Sequence, residues 1–241
     1  MTPNADALCV DRETGYFLEL PSGFVTEAMA LGAPAVLSES GIVLAEPLLV
    51  RPESLLEIND ISLHPAVKEV LELIEKRSPG QEVMLNVQAP YSVLCTVTEQ
   101  DTLHSWLVRY KSMVHEALCA ITRGLAGYIR EALQRGAHVV SIADPYACPE
   151  IIGASRHREF AAEYEYRLLR LLAGAPCGVV HLCPRCSLML EKYGRIAARC
   201  ENLGGKPYHE ALLEAASEFA IVGHRCIHSQ SAEKFYRLEI V

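Results

Sequence analysis

The chain has 241 residues, half of them hydrophobic and 22% charged, with 22 Lys and Arg against 30 Asp and Glu and a formal net charge of −8. That balance, without a basic run of five or more, argues against a nucleic-acid partner, and the apolar half excludes disorder. The most apolar stretch, residues 171–183, is too short to span a membrane and contains Pro176 and His181. Residues 1–15, MTPNADALCVDRETG, have neither the basic start nor the apolar centre of a secretory signal, which predicts a cytoplasmic chain. The length suits one domain over 1–241 with a sizeable core.

In chain order, GYFLEL (15–20) reads as a short strand and TEAMALG (26–32) as a helical fragment stopped by Gly32. IVLAEPLLV (42–50) is an apolar run broken by Pro47. PAVKEVLELIEK (65–76) predicts a helix with proline in its first turn and Val67, Val70, Leu71 and Ile74 at helical spacing. VMLNVQAP (83–90) is a strand ended by Pro90. One long helical region is expected over 101–135, where Leu107, Val114, Leu118, Ile121, Leu125, Ile129 and Leu133 recur every three or four residues to Gly136.

HVVSIAD (138–144) is the next buried strand. A helix over 156–173 comes after it, with Ser155 as N-cap and Phe160, Tyr164, Leu168 and Leu171 on one face. CGVVHLC (177–183) is a third strand and SLMLEKYG a short helix ended by Gly194. RIAARC (195–200) reads as a weak strand, 207–219 as a helix, and IVGHRC (221–226) as the last clear strand, before a tail read as a short helix and strand. Strands apolar on both faces, alternating with helices over short connections, predict an α/β fold with a parallel sheet. A TIM-like (β/α) barrel fits the length, trimmed at both ends because only roughly seven strands are found. A doubly wound open sheet is the alternative, without a GxGxxG or phosphate loop to support nucleotide binding.

Nine cysteines in a cytosolic-type chain point to metal or thiol chemistry rather than disulfides. Cys9, Cys95, Cys119, Cys148 and Cys200 stand alone, whereas Cys177, Cys183 and Cys186 cluster and Cys226 lies further on. Polar groups fall at strand ends: Asp144, the His181/Cys183 pair, and Cys226. On a strand, i and i+2 share a face, so His181 and Cys183 would aim together, and Cys226 from a neighbouring strand would complete a zinc triangle with an open fourth position. A thiol at that position loses its proton yet stays nucleophilic, which suits attack on an activated methyl group. Spacing alone leaves two alternatives open. One is a closed structural zinc on Cys183, Cys186 and Cys226 with His224 or His228, and the other is no metal. Asp144 equally suits capping of the loop after it.

LNVQAPYSVL (85–94), EALQRGAHVVSIADPYA (131–147), VVHLC (179–183) and IVGHRC (221–226) resemble the uroporphyrinogen decarboxylase-like superfamily. Within it they are most similar to the corrinoid-dependent branch, typified by methylcobamide:coenzyme M methyltransferases. The resemblance implies a TIM barrel whose zinc sits on a His-x-Cys pair and a later Cys, here His181, Cys183 and Cys226. It further implies transfer of a methyl group between a corrinoid (cobalamin) on a partner protein and a small thiol or related acceptor. Asp144 is the catalytic expectation, and Gln88 and Tyr146 are expected to line the substrate pocket. The arginine-rich N-terminal segment of decarboxylases proper has no counterpart, since Arg12 is the single arginine before Arg51. A decarboxylating lyase is therefore disfavoured. The rival readings are a barrel-derived subunit that holds a corrinoid protein or a metal without catalysis, and a zinc-stabilised protein of unrelated activity. An oligomer is compatible with the sequence.

Overall fold

A computed structural model describes residues 16–20, 25–38, 41–44, 46–229 and 232–241. The main sheet has seven strands in the order β1-β4-β5-β6-β8-β9-β7: β1 (Leu18–Leu20), β4 (Val83–Gln88), β5 (Val139–Ala143), β6 (Gly178–Leu182), β7 (Ile196–Asn202), β8 (Phe219–Val222) and β9 (Lys234–Ile240). Strands β2 (Ala35–Ser38) and β3 (Gly41–Leu44) form a separate antiparallel pair. Helices α1 (Thr26–Ala30), α2 (Pro65–Arg77), α3 (Pro90–Val97), α4 (Gln100–Arg109), α5 (Lys111–Gln134), α6 (Glu163–Leu172), α7 (Pro184–Lys192) and α8 (Tyr208–Ala215) connect them.

The parallel α/β reading holds for β1, β4, β5, β6 and β8, which are parallel neighbours in that order. A closed barrel does not form. β9 runs antiparallel to β8, meeting it at Val222↔Arg237, and β7 runs antiparallel to β9 over seven residue pairs. That reversal replaces the next parallel strand a (β/α) barrel needs, so the sheet stays open between β1 and β7.

Alternation along the central strands divides two apolar layers. Val83, Leu85, Val87, Val140, Ile142, Val180 and Leu182 join the large core with residues of α2, α3, α5 and α6. Met84, Val139 and Val179 point the other way, toward Tyr208 and Leu212 of α8 and Phe235 of β9. Successive strand residues face opposite sides, so strands covered on both faces are largely apolar, as β4, β5 and β6 are apart from Asn86, Gln88, Ser141 and His181.

Several local expectations change. The long helical region breaks at Tyr110 (φ −127°, ψ 39°), giving α4 and α5 in place of one helix. Ser155 lies inside a helical turn that starts after Gly153, and residues 157–162 form a π-helical segment leading into α6. Leu172, not Leu171, is buried on α6, and Leu171 is 38% exposed. IVGHRC is strand only through Val222. Gly223 comes next, His224 takes a left-handed φ of 64°, and Cys226 is exposed in a turn. The tail is β9, and its residues 230 and 231 lie outside the described residues. Among the described residues, no helix is long and apolar enough to cross a membrane.

Candidate active site at the strand ends

The register Gln88↔Ala143 and Ile142↔Leu182 brings the C-terminal ends of β4, β5 and β6 level. Two backbone bonds lock the turns just beyond those ends. The Ala89 N–H donates to the Ala143 carbonyl (2.8 Å) and the Cys183 N–H to the Ile142 carbonyl (3.0 Å). Pro90 then starts α3 and Pro184 starts α7, each at a position whose missing N–H costs the helix nothing. These turns place Ser92, Asp144 and the CPRC segment (183–186) beside one another, and α6 adds Glu165.

The result is a cluster of acids and thiols. Asp144 is 3% exposed and accepts a short hydrogen bond from the Ser92 hydroxyl, which in turn accepts from the Tyr146 N–H at 3.1 Å. Burial pushes the Asp144 carboxyl up to about 6, opposed by the Ser92 hydroxyl. Glu165, 2% exposed, is raised well above the usual carboxylate range by burial and then by the Asp144 charge. Two carboxyls brought together out of water hold a proton between them, because both cannot ionise cheaply.

Cys183 and Cys186 place their sulfurs 3.1 Å apart. The Cys186 thiol donates to Cys183, and with backbone N–H groups at the start of α7 it holds Cys183 down at about 6 against the burial that would raise it. Cys186 is raised well above an ordinary thiol, by that same contact and by burial. A proton on Cys186 and negative charge on Cys183 are favoured over the reverse.

The expected substrate residues flank this cluster. Gln88 is 3% exposed, its side-chain carbonyl accepts from the Thr96 hydroxyl at 3.0 Å, and its N–H donates to Glu27 at 3.1 Å. Tyr146 is 44% exposed and is held through its backbone. Burial pushes Glu27 up to about 7.

The three expected zinc ligands separate. His181 shares the face of Val179, where register sets it in a row with Ser141 and Asn86. Its ring meets Tyr208 edge-on at 6.1 Å, both ring nitrogens are buried without a hydrogen-bond partner, and burial lowers it to about 4. Cys183 is no longer on the strand. As the residue capping α7 it leaves the two-residue alternation, and its sulfur turns to Cys186 on the large-core side. Cys226 is exposed, past the end of β8. The closed alternative does not gather either, since His224 pairs with Glu191 (3.0 Å) and His228 with Glu19 (3.6 Å). Among the described residues there is no group of three or more His, Cys, Asp and Glu side chains that could hold a metal ion.

Ser92, Glu165 and Glu27 were not legible as site residues. Glu165 did leave a trace, since it lies three and seven residues before the buried Leu168 and Leu172, on the core face of its helix. A surface groove of about 670 Å³, lined by His115, Cys119, Arg123, Tyr164 and Arg167 among others, touches none of the strand-end residues.

The sequence profile of the uroporphyrinogen decarboxylase (URO-D) family matches residues 17–224, which include every strand from β1 to β8. The chain belongs to the URO-D family. Among curated proteins, this URO-D chain is 25% identical over 176 residues to the methylcobamide:CoM methyltransferase MtaA of Methanosarcina barkeri, covering 72% of the chain and 49% of that protein. It is 22% identical over 160 residues to a methylated-thiol–coenzyme M methyltransferase of Methanosarcina mazei, covering 66% of the chain and 43% of that protein. The chain thus spans about half the length of the curated relatives it matches. Among solved structures, a methyltransferase from Methanosarcina mazei superposes with a TM-score of 0.56 at 20% identity, covering 79% of this chain and 56% of that one. That likeness concerns the fold.

Proposed function

We propose that this URO-D chain takes part in methyl transfer between a corrinoid carried by a partner protein and a small thiol in a cytoplasmic setting. The observation that carries the reading is the chemistry of the strand-end cluster, in which two buried carboxyls, Asp144 and Glu165, lie side by side. A neutral thiol acceptor needs a group to take its proton, and a carboxyl of raised affinity for protons suits that role. The relatives support the same choice, since both curated names describe methyl transfer involving coenzyme M.

In the direction from corrinoid to thiol, the acceptor sulfur would take the methyl group and lose its S–H proton, the cobalt–carbon bond breaking with its electron pair left on the corrinoid. Asp144, poised near neutrality and oriented by Ser92, is assigned to receive that proton. Gln88 and Tyr146 are assigned to the walls of the acceptor pocket. Zinc would hold such a thiol as its thiolate, but His181, Cys183 and Cys226 do not converge as folded, so no step is assigned to it.

The test uses methylcobalamin as donor and 2-mercaptoethanesulfonate as acceptor, following loss of the donor spectrum and formation of the methyl thioether. Thioether formation above the protein-free rate is expected, falling about 10²-fold or more in Asp144→Asn. Methylcobalamin that binds but stays intact with every small thiol would replace catalysis by a corrinoid-binding role.

A further inference from the structure

The CPRC turn holds a feature that methyl transfer does not use. Cys186 is 2% exposed and sits behind the half-buried Cys183 in the first turn of α7, with the two sulfurs 3.1 Å apart. The turn is stiff: the Ser187 N–H donates to the Cys183 carbonyl at 3.1 Å, and the Ser187 hydroxyl reaches the same carbonyl at 3.1 Å. Closing the gap to a disulfide bond of about 2.05 Å asks for roughly 1 Å of sulfur movement, within reach of side-chain rotation. Other cysteines on this side are engaged differently, Cys95 with the Tyr91 hydroxyl and Cys148 with Glu150 (2.7 Å).

A second observation points to the same chemistry. Both carboxyl oxygens of Glu165 are buried without a well-formed hydrogen bond, and they lie against Cys186 and Asp144. An acid left unsatisfied inside a core costs stability, and its place beside the hidden thiol marks this end of the sheet as a site for polar chemistry.

We propose that Cys183 and Cys186 form a reversible disulfide, making CPRC a thiol–disulfide exchange site with Cys183 as the attacking sulfur and Cys186 as the resolving one. The oxidant is a small-molecule disulfide, RSSR. The Cys183 sulfur attacks one sulfur of RSSR, forming a mixed disulfide and releasing RS⁻. Cys186 then gives its proton to the released RS⁻ and attacks the Cys183 sulfur, releasing the second RS⁻. Two protein thiols are oxidised by two electrons, and one disulfide is reduced to two thiols.

The reduced chain is equilibrated without oxygen against graded ratios of 2-hydroxyethyl disulfide to 2-mercaptoethanol, blocked with N-ethylmaleimide, digested and weighed. At oxidising ratios the peptide holding residues 183–186 is expected to lose two hydrogens and escape alkylation, and excess 2-mercaptoethanol should restore both thiols. Cys186→Ser is expected to retain the mixed disulfide on Cys183, while Cys183→Ser should acquire an adduct at Cys186 at least tenfold more slowly. The proposal fails if Cys183 and Cys186 remain fully alkylated at every ratio in the unmutated chain, a result no folding defect can imitate. It also fails if Cys186 takes the adduct as fast as Cys183. Because the readout is the mass of one peptide, it stands or falls apart from methyl transfer.

Discussion

The block of β4, β5 and β6 with its helices and the flank of β7, β8 and β9 obey different rules within one sheet. In the block every strand is parallel, buried on both faces and succeeded by a helix start or a polar turn at one shared edge. In the flank β9 reverses direction, and β7 and β9 are mostly exposed or half-buried, with Ile196, Phe235 and Leu238 their buried residues. Reactive groups collect where strand ends are level, so the block has the chemistry. The flank closes one side of the sheet and leaves Cys226 in an exposed turn.

The largest contrast expected is in packing. Leu182 is 1% exposed between the sheet and its helices, and Leu182→Ala should cost about 2–5 kcal/mol through lost burial and a cavity that the surrounding layers cannot fill. Leu238 on β9 is 5% exposed and borders the wet face, so Leu238→Ala should fall at or below the low end of that range. Chemical denaturation of both variants measures the difference, and equal losses would erase the distinction between block and flank.

The block also predicts a pH dependence. Glu27 is fully buried against the end of β4, and its folded-state value of about 7 lies above the ordinary value of 4.5. Below about 4.5 the carboxyl is protonated in both states and burial carries no ionic penalty. As pH rises the unfolded chain ionises first, so stability falls through this window and the loss is complete above about 7, near 3 kcal/mol at 1.36 kcal/mol per unit. Glu27→Gln keeps an acceptor for the Gln88 N–H and should flatten that slope. Parallel stability curves for the two proteins between pH 4.5 and 8 would show that Glu27 is not the source.

A smaller effect is expected where α5 packs over the block. A Cβ on Gly124 would lie 2.7 Å from Cγ1 and 3.1 Å from the backbone nitrogen of Ile61, so Gly124→Ala should cost about 1–3 kcal/mol despite its better helix propensity. A stabilised Gly124→Ala in thermal melts would mean that the 61–63 turn is not held against the helix.

The sequence made the block readable because its signals are local. Apolar runs bounded by Pro90, Gly136 and Gly194 mark strands and helices within a few residues of where they lie. The site is only half readable for the opposite reason. Asp144 and Cys183 stand out at strand ends, but Ser92 meets Asp144 across 52 residues, and Glu165 reaches Cys186 from another helix. The expected meeting of His181 with Cys183 assumed that the strand continued to 183, whereas Pro184 turns the chain into α7 and the strand stops at Leu182. Strand direction in the flank is likewise invisible to periodicity, since an alternating segment reads the same way parallel or antiparallel.

The sharpest small test lies at His224, where sequence pattern and backbone disagree. Read as IVGHRC, the segment is a strand, and a β-branched residue at 224 would then be neutral or favourable. In the structure His224 has φ 64°, its N–H donates to the Ser187 hydroxyl at 2.8 Å, and its ring pairs with the exposed Glu191. A left-handed backbone costs a non-glycine residue about 1–2 kcal/mol, and more when branching at Cβ crowds the carbonyl. His224→Gly should therefore stay within about 1 kcal/mol of the parent, because relief of that strain offsets the lost ion pair and the greater freedom of the unfolded chain. His224→Val should lose about 1–2 kcal/mol relative to His224→Gly. Denaturant midpoints of the two variants decide between the readings. If valine is the more stable, the backbone at 224 is extended, β8 reaches toward Cys226, and that cysteine is carried to the level of the other strand ends.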